Sequence, residues 1–309
     1  QVRNGVSDME KKKLAFIGSG MIGGGLAVNA LLNGYPCVIY DVVEPSKIRD
    51  TIRTVMDILV EAGAVTADAA EEALAGAGYT NDLKEAVYGA VFVQECVPER
   101  LELKRSIYRQ IQEMCGPDTI IASSTSAMMP SVLQEGALYP QSILVGHPYN
   151  PSYLLPLIEV CGGKDTAPET IAAAMEIYTG MGKVPVHCKK EVEGFLVNKL
   201  SWGAMEAAKQ VVLDGVCSVE DMDKAIMYGP GMRMAVTGQI MTMSLGIQGG
   251  LRAAAAKYGK EPNEADCILA DGVDEAIAHR TEEQGNTVEG VIRYRDRMFA
   301  AILKEQGLL

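Results

Sequence analysis

Residues 13–41 read KLAFIGSGMIGGGLAVNALLNGYPCVIYD, and no other stretch narrows the fold as far. KLAFIG is a short apolar run that stops at a glycine, as a buried strand does. SGMIGGGLAVNALLNG follows with apolar residues at helical spacing and is closed by Gly34. PCVIYD is a second short strand that ends in an acid. Gly18, Gly20 and Gly23 form GxGxxG at the strand-to-helix turn, with Met21 and Ile22 between the last two glycines. Such glycines allow a tight turn and let backbone approach a pyrophosphate at a helix N-terminus. The motif alone is weak, but here a strand precedes it, a helix follows, and Asp41 ends the next strand about 20 residues on. Gly18, Gly20, Met21, Ile22 and Gly23 are therefore expected to hold a dinucleotide, with Asp41 on the adenosine ribose hydroxyls. A plain structural turn is the competing reading. The Asp41 carboxylate would repel a 2′-phosphate, and VVEP after it offers no arginine, so the cofactor expected is NAD rather than NADP.

The pattern continues down the chain. A long helical stretch runs over roughly 44–76, then come a strand in AVFVQECVPE (90–99) and a helix in LELKRSIYRQIQEM. TIIASSTS (119–126) and SILVGH (142–147) read as strands, followed by LPLIEV, a helix over about 168–181, and KVPVHC (183–188). Strands alternating with helices point to a mostly parallel, doubly wound sheet. Near residue 190 the pattern changes to long amphipathic stretches with almost no strand signal. The expectation is an α/β Rossmann-type domain over 1–190 and a smaller all-α domain over 191–309, joined tightly between Lys189 and Gly194.

Bulk properties exclude several functions. A formal net charge of −12 over 309 residues argues against nucleic acid as partner. Seven cysteines without a CxxC pair suggest neither a disulfide framework nor a metal site, and point to a reducing, cytoplasmic setting. No apolar run is long enough for a membrane span, and QVRNGVSDMEKKK lacks the apolar stretch of a signal peptide. Residues 1–10 are left outside the fold reading.

The chain holds three histidines, and His147 is the one in a telling place. It ends a strand of the expected sheet, and ligands of such sheets bind at the carboxyl ends of the strands. NPSYLLP then carries the chain away, and PLIEV returns it. If the two strands are neighbours, Glu159 reaches the imidazole. A histidine oriented by a carboxylate suits removal of a hydroxyl proton while hydride leaves for a nicotinamide. A structural histidine is the alternative. His187 reads as a strand-end residue, His279 as a solvated helix residue and Cys96 as packing.

Over essentially its whole length the chain resembles the L-3-hydroxyacyl-CoA dehydrogenase superfamily. GSGMIG, VQECVPERLELK, ASSTS, GHPYNP with PLIEV, and KEVEGFLVNKL carry the resemblance. Within the superfamily the chain looks most like the branches that oxidise L-gulonate and L-carnitine. The resemblance implies a base at His147 with Glu159 as its partner. It also implies hydroxyl-binding roles for Ser126 and Asn198, and cofactor contacts from Glu99 and Lys104. Each has a plainer reading: Ser126 capping a turn, Asn198 capping a helix, Lys104 as a solvated helix residue.

GPGMRMA (229–235) bears on the substrate. Arg233 matches an arginine of the gulonate and carnitine branches, and a guanidinium grips a free carboxylate through two parallel hydrogen bonds. That favours a free 3-hydroxy acid over a CoA ester, with a structural ion pair as the alternative. Trp202 and Tyr228 offer aromatic faces for a quaternary ammonium, whereas the retained Asn198 looks more like the gulonate and acyl-CoA members. The expected activity is NAD-dependent oxidation of a small L-3-hydroxy acid to the 3-keto acid by a homodimer. Two alternatives stay open: a short-chain L-3-hydroxyacyl-CoA dehydrogenase, and a non-catalytic NAD-binding or crystallin-like structural protein.

Overall fold

The computed structural model describes residues 11–255 and 260–309. Residues 1–10, set apart in the sequence reading, lie outside the described residues. The chain forms two compact units, one through Gly203 and one from Ala204 to Leu309.

The first unit is built on an eight-stranded sheet. Its strands are β1 (Leu14–Ile17), β2 (Cys37–Tyr40), β3 (Ala77–Thr80), β4 (Phe92–Glu95), β5 (Ile120–Ser123), β6 (Ile143–Pro148), β7 (Leu157–Gly162) and β8 (Val184–Cys188). They lie in the order β3-β2-β1-β4-β5-β6-β7-β8. All neighbours are parallel except β6 and β7, which run antiparallel. The helices of this unit are α1 (Met21–Leu32), α2 (Pro45–Glu61), α3 (Ala67–Ala75), α4 (Leu83–Val87), α5 (Leu101–Cys115), α6 (Pro130–Leu133) and α7 (Pro168–Gly180).

Strand β1 explains why the sheet is central. Its four residues are all apolar and wholly buried. Leu14 and Phe16 join the core on one face, with residues of α1, α2 and α7; Ala15 and Ile17 join the core on the other, with α4 and α5. A strand covered on both faces cannot alternate polar with apolar, hence LAFI. Full burial of a side chain of this size contributes about 1.5–3 kcal/mol.

Two sequence expectations are corrected. The single helical stretch over 44–76 is two helices, because Gly63 takes a left-handed φ of 68° after α2 and Thr66 then caps α3 by accepting from the Ala69 N–H. After α3, AGYT forms the edge strand β3, paired in parallel with β2. The strand read over 90–99 is confined to 92–95, since the chain turns at Cys96 to start the α5 approach.

The unit from Ala204 onward is helical, and its described residues contain no strand. Helix α8 (Val197–Leu213) begins before the boundary and ends beyond it. Then come α9 (Val219–Ile226), a wide turn at Met227–Gly231 around Pro230, α10 (Met232–Thr237), α11 (Gln239–Leu245), α12 (Gly250–Ala254), α13 (Glu264–Ala278) and α14 (Val288–Glu305). Met241, Val273, Ile277 and Val291 form its core cluster.

Candidate active site

The order of the strands reverses between β1 and β4: β2 and β3 extend the sheet one way, β4 onward the other. Ligands of open α/β sheets lie outside the carboxyl ends at such a point. The glycine loop sits there. Gly18 has φ 105°, and a Cβ on it would fall 2.6 Å from the Cys96 carbonyl oxygen. A Cβ on Gly23 would meet the Gly18 carbonyl oxygen at 1.9 Å. Both glycines are thus required by the protein's own packing. Gly20 differs, because a Cβ there would meet nothing within 4 Å. Gly20 is the N-cap of α1 and makes no side-chain capping bond. The open side of this loop therefore faces outward at a helix N-terminus, which fits a pyrophosphate.

Asp41 follows β2. Its Oδ2 accepts from the Ser19 N–H (2.7 Å) and the Ser19 hydroxyl (2.8 Å), and its Oδ1 accepts from the Val42 N–H (2.7 Å). The acid is thereby fixed against the glycine loop.

The ends of β4, β5 and β6 are tied by polar side chains that end apolar runs. Gln94 is wholly buried; its amide donates to Ser124 Oγ (2.8 Å) and the Gly146 carbonyl (3.2 Å), and its oxygen accepts from Tyr178 (2.5 Å). Ser124 also meets Cys96 Sγ at 3.0 Å. Burial pushes the Cys96 thiol up to about 12, consistent with packing rather than nucleophilic chemistry. Glu95 accepts from Lys104 Nζ (2.8 Å), the Val97 N–H (2.8 Å), Ser123 Oγ (2.8 Å) and the Tyr108 hydroxyl. Lys104 is 1 % exposed, and Glu99 lies 3.3 Å from its ammonium. The solvated-helix reading of Lys104 is therefore wrong; it is a buried ion-pair member linked to the half-exposed Glu99. Glu99 in turn accepts from the Thr125 hydroxyl. Ser126 follows on the exposed turn after β5.

His147 and Glu159 are directly opposite one another across the antiparallel β6–β7 pair. The imidazole Nδ1 lies 2.8 Å from Glu159 Oε2, with the two residues 6 % and 1 % exposed. Among the described residues nothing bonds Nε2. The other carboxylate oxygen, Oε1, accepts from the Leu196 and Val197 N–H groups at 2.7 and 3.0 Å. Asn198 is the second residue of α8 rather than its cap, partly exposed.

The loop after His147 is bolted to α1. Ser152 donates to the Ile22 carbonyl (3.1 Å), and Asn29 donates to the Tyr153 carbonyl (3.1 Å). Lys183 Nζ donates to the carbonyls of Ser152 and Leu155. Burial lowers Lys183 from 10.5 to about 8. Sequence reasoning missed Gln94, Glu95, Ser152 and Lys183. A signal existed for two of them: FVQE places consecutive polar residues inside a strand otherwise read as buried.

Arg233 is on α10 in the second unit, exposed, with Nη2 3.4 Å from the Thr242 carbonyl oxygen and no carboxylate partner among the described residues. His187 and His279 are exposed. Among the described residues no cluster of His, Cys, Asp and Glu is arranged to hold a metal ion, and no helix is long and apolar enough to cross a membrane. A cavity of about 1440 Å³ is lined by Asn33, Tyr35, Pro36, Thr66 and Gly180 at the start of β2.

The 3-hydroxyacyl-CoA dehydrogenase NAD-binding domain family matches residues 13–192, and the 3-hydroxyacyl-CoA dehydrogenase C-terminal domain family matches 194–289. The L-carnitine dehydrogenase of a Pseudomonas species is 35 % identical, the alignment covering 96 % of this chain and 94 % of the relative. Among solved structures, an NAD⁺-dependent dismutase, 5-formyl-3-hydroxy-2-methylpyridine 4-carboxylic acid 5-dehydrogenase, superposes with a TM-score of 0.70 at 26 % identity, covering 96 % of this chain and 99 % of that one. The 3-hydroxybutyryl-CoA dehydrogenase of Escherichia coli K12 gives a TM-score of 0.66 at 26 % identity, covering 85 % of this chain and 56 % of that one. With both family domains matched in order and a relative 35 % identical over nearly the whole chain, the chain belongs to the 3-hydroxyacyl-CoA dehydrogenase family and is an NAD-dependent dehydrogenase.

Proposed function

We propose that the enzyme oxidises the 3-hydroxyl of a small free L-3-hydroxy acid, of the L-carnitine or L-gulonate kind, to the 3-keto acid. The observation that carries the reading is the buried His147–Glu159 pair with Nε2 unbonded at the carboxyl end of the sheet. Glu159 accepts from Nδ1–H, which leaves Nε2 with its lone pair directed away from the carboxylate. Nε2 takes the hydroxyl proton and later releases it to solvent. NAD, when bound, accepts the hydride from C3. Ser126 and Asn198 hold the substrate hydroxyl, and Arg233 holds its carboxylate. The free guanidinium, without a carboxylate of its own among the described residues, supports that last role. Gly18, Gly20, Met21, Ile22 and Gly23 receive the pyrophosphate, Asp41 the adenosine ribose, and Glu99, paired with the buried Lys104, contacts the cofactor.

The L-carnitine dehydrogenase name of the Pseudomonas relative supports a carnitine-like acid. The family description and the E. coli structure support the second reading, a short-chain L-3-hydroxyacyl-CoA dehydrogenase. We assign cofactor binding to residues 1–190 and substrate binding and pairing to 191–309. A homodimer is supported by the exposed apolar residues Leu213, Met227, Ile240, Met243 and Ile268. Seven free cysteines support a reducing, cytoplasmic location.

The test is NADH formation by the purified protein with L-carnitine, L-gulonate, L-3-hydroxybutyrate and its CoA ester, repeated with NADP. Turnover of one free acid with NAD is the expected result. Turnover of the CoA ester alone would overturn the free-acid assignment. NAD binding without turnover of any substrate would favour the non-catalytic alternative.

A further inference from the structure

Phe195 is the one non-glycine residue with a left-handed backbone among the described residues, at φ 52°. Side-chain-bearing residues hold such conformations only where their surroundings fix them, and they gather at functional sites. Phe195 is 1 % exposed and belongs to the core cluster that also holds Cys161 and Cys188. Gly194 before it is left-handed too, at φ 74°, and Trp202 closes over it so that a Cβ there would fall 2.4 Å from the indole. Two left-handed residues in a row turn the chain sharply just before α8. The turn brings the next two N–H groups, of Leu196 and Val197, onto the single oxygen Glu159 Oε1. The ring of the same phenylalanine lies beside the His147 imidazole, with centroids 5.5 Å apart and planes at 35°.

We propose that Phe195 is a positioning residue for the His147–Glu159 pair: its backbone aims two N–H groups at Glu159 Oε1, and its ring backs the imidazole. With Oε1 pinned by two donors, the carboxylate cannot rotate, and Oε2 stays on Nδ1. The imidazole is then held from two sides, by Oε2 at its Nδ1 and by the phenyl ring beside it. The inference rests on the reading of His147 as the base, and goes beyond it by naming what fixes that base.

Two substitutions separate the two halves of the device. Phe195→Gly keeps a left-handed backbone without strain and deletes the ring. Val197→Pro deletes one N–H donor and keeps the ring, at the first position of a helix, where proline is tolerated. Phe195→Leu, which retains apolar bulk, serves if the glycine variant is unstable. Because the chain has three histidines, the imidazole N–H proton of His147 can be assigned by NMR in the full-length protein with NAD bound. Each variant is expected to shift or broaden that resonance. Phe195→Gly and Val197→Pro are each expected to lower kcat about tenfold, as misplacement of a reacting group by a fraction of an ångström does, and to leave the Kd for NAD within about threefold. An unchanged His147 resonance in all three variants, with kcat within about twofold of wild type, would overturn the inference. His147→Ala, run alongside, keeps the two readings apart. If it abolishes turnover while the Phe195 and Val197 variants retain it, the positioning role falls and the base stands. If it retains turnover, the base reading falls, and the NMR resonance alone decides whether Phe195 positions the pair.

Discussion

Both oxygens of the Glu159 carboxylate are engaged, Oε2 at the His147 imidazole and Oε1 by two N–H groups, so an isosteric change is informative. In Glu159→Gln, the amide has one oxygen and one NH₂ for two donor-facing sides. Either the Leu196 and Val197 N–H groups lose their acceptor or the imidazole switches tautomer and Nε2 carries the proton. A wrong tautomer is costly, so Glu159→Gln is expected to lower kcat about 10²- to 10⁴-fold with little change in the Kd for NAD. His147→Ala should fall in the same range of about 10²- to 10⁴-fold, measured as NADH formation. Lys183 makes a pH prediction. Its folded-state value, about 8, lies below the ordinary 10.5, so the folded protein binds fewer protons than the unfolded chain between those values. The cost of burying the charge is fully present below pH 8 and is relieved as pH rises toward 10.5. Relative to Lys183→Met, the wild type should gain stability over that window, by at most about 3 kcal/mol, read as the difference in urea midpoints between the two proteins.

At the scale of elements, close packing places the site. Gly146 precedes His147 on β6, and a Cβ there would fall 1.8 Å from the Tyr178 hydroxyl oxygen of α7. Gly146→Ala should destabilise by about 1–3 kcal/mol, as overpacking does, and Tyr178→Phe in the same chain should recover part of the loss. Recovery would be incomplete, because Gln94 then lacks the donor it has from Tyr178. Thermal unfolding of both variants checks this. Most elements here were legible in the sequence: LAFI and CVIY are apolar runs between turn residues, and the β6 and β7 segments are mostly apolar runs interrupted by His147 and Glu159. β3 was not, because AGYT carries an alanine, a glycine and a threonine and owes its strand conformation to pairing with β2. The break within 44–76 was hidden because Ala64 and Val65 continue the apolar rhythm across the turn at Gly63.

For the molecule as a whole, NAD should raise the unfolding temperature and NADP should do so less at equal concentration, since Asp41 sits against the glycine loop and binding to the folded state stabilises it. Arg233→Met is expected to raise KM for the hydroxy acid far more than KM for NAD, and equal changes would count against a carboxylate clamp. The part of the site that was legible is the part written in local order: the glycines with Asp41, and His147 with Glu159 on two short strands. Lys183 and Phe195 were not, because Ser152 and His147 are brought to them only by the fold, and FVQE marked Gln94 and Glu95 as polar residues in a buried strand without pointing to Tyr178, Ser123 or Lys104 as their partners. The antiparallel reversal at β7 has a further consequence. His147 and Glu159 meet because strand pairing sets them opposite, not because of the number of residues between them. The length of the connecting loop does not itself set their contact; the loop answers to Ser152 and Tyr153, which tie it to α1. A one-residue slip within β7 would instead turn Glu159 to the opposite face of the sheet. The site is thus encoded by register: the imidazole and the carboxylate keep their contact only while β6 and β7 keep the one pairing that sets them opposite.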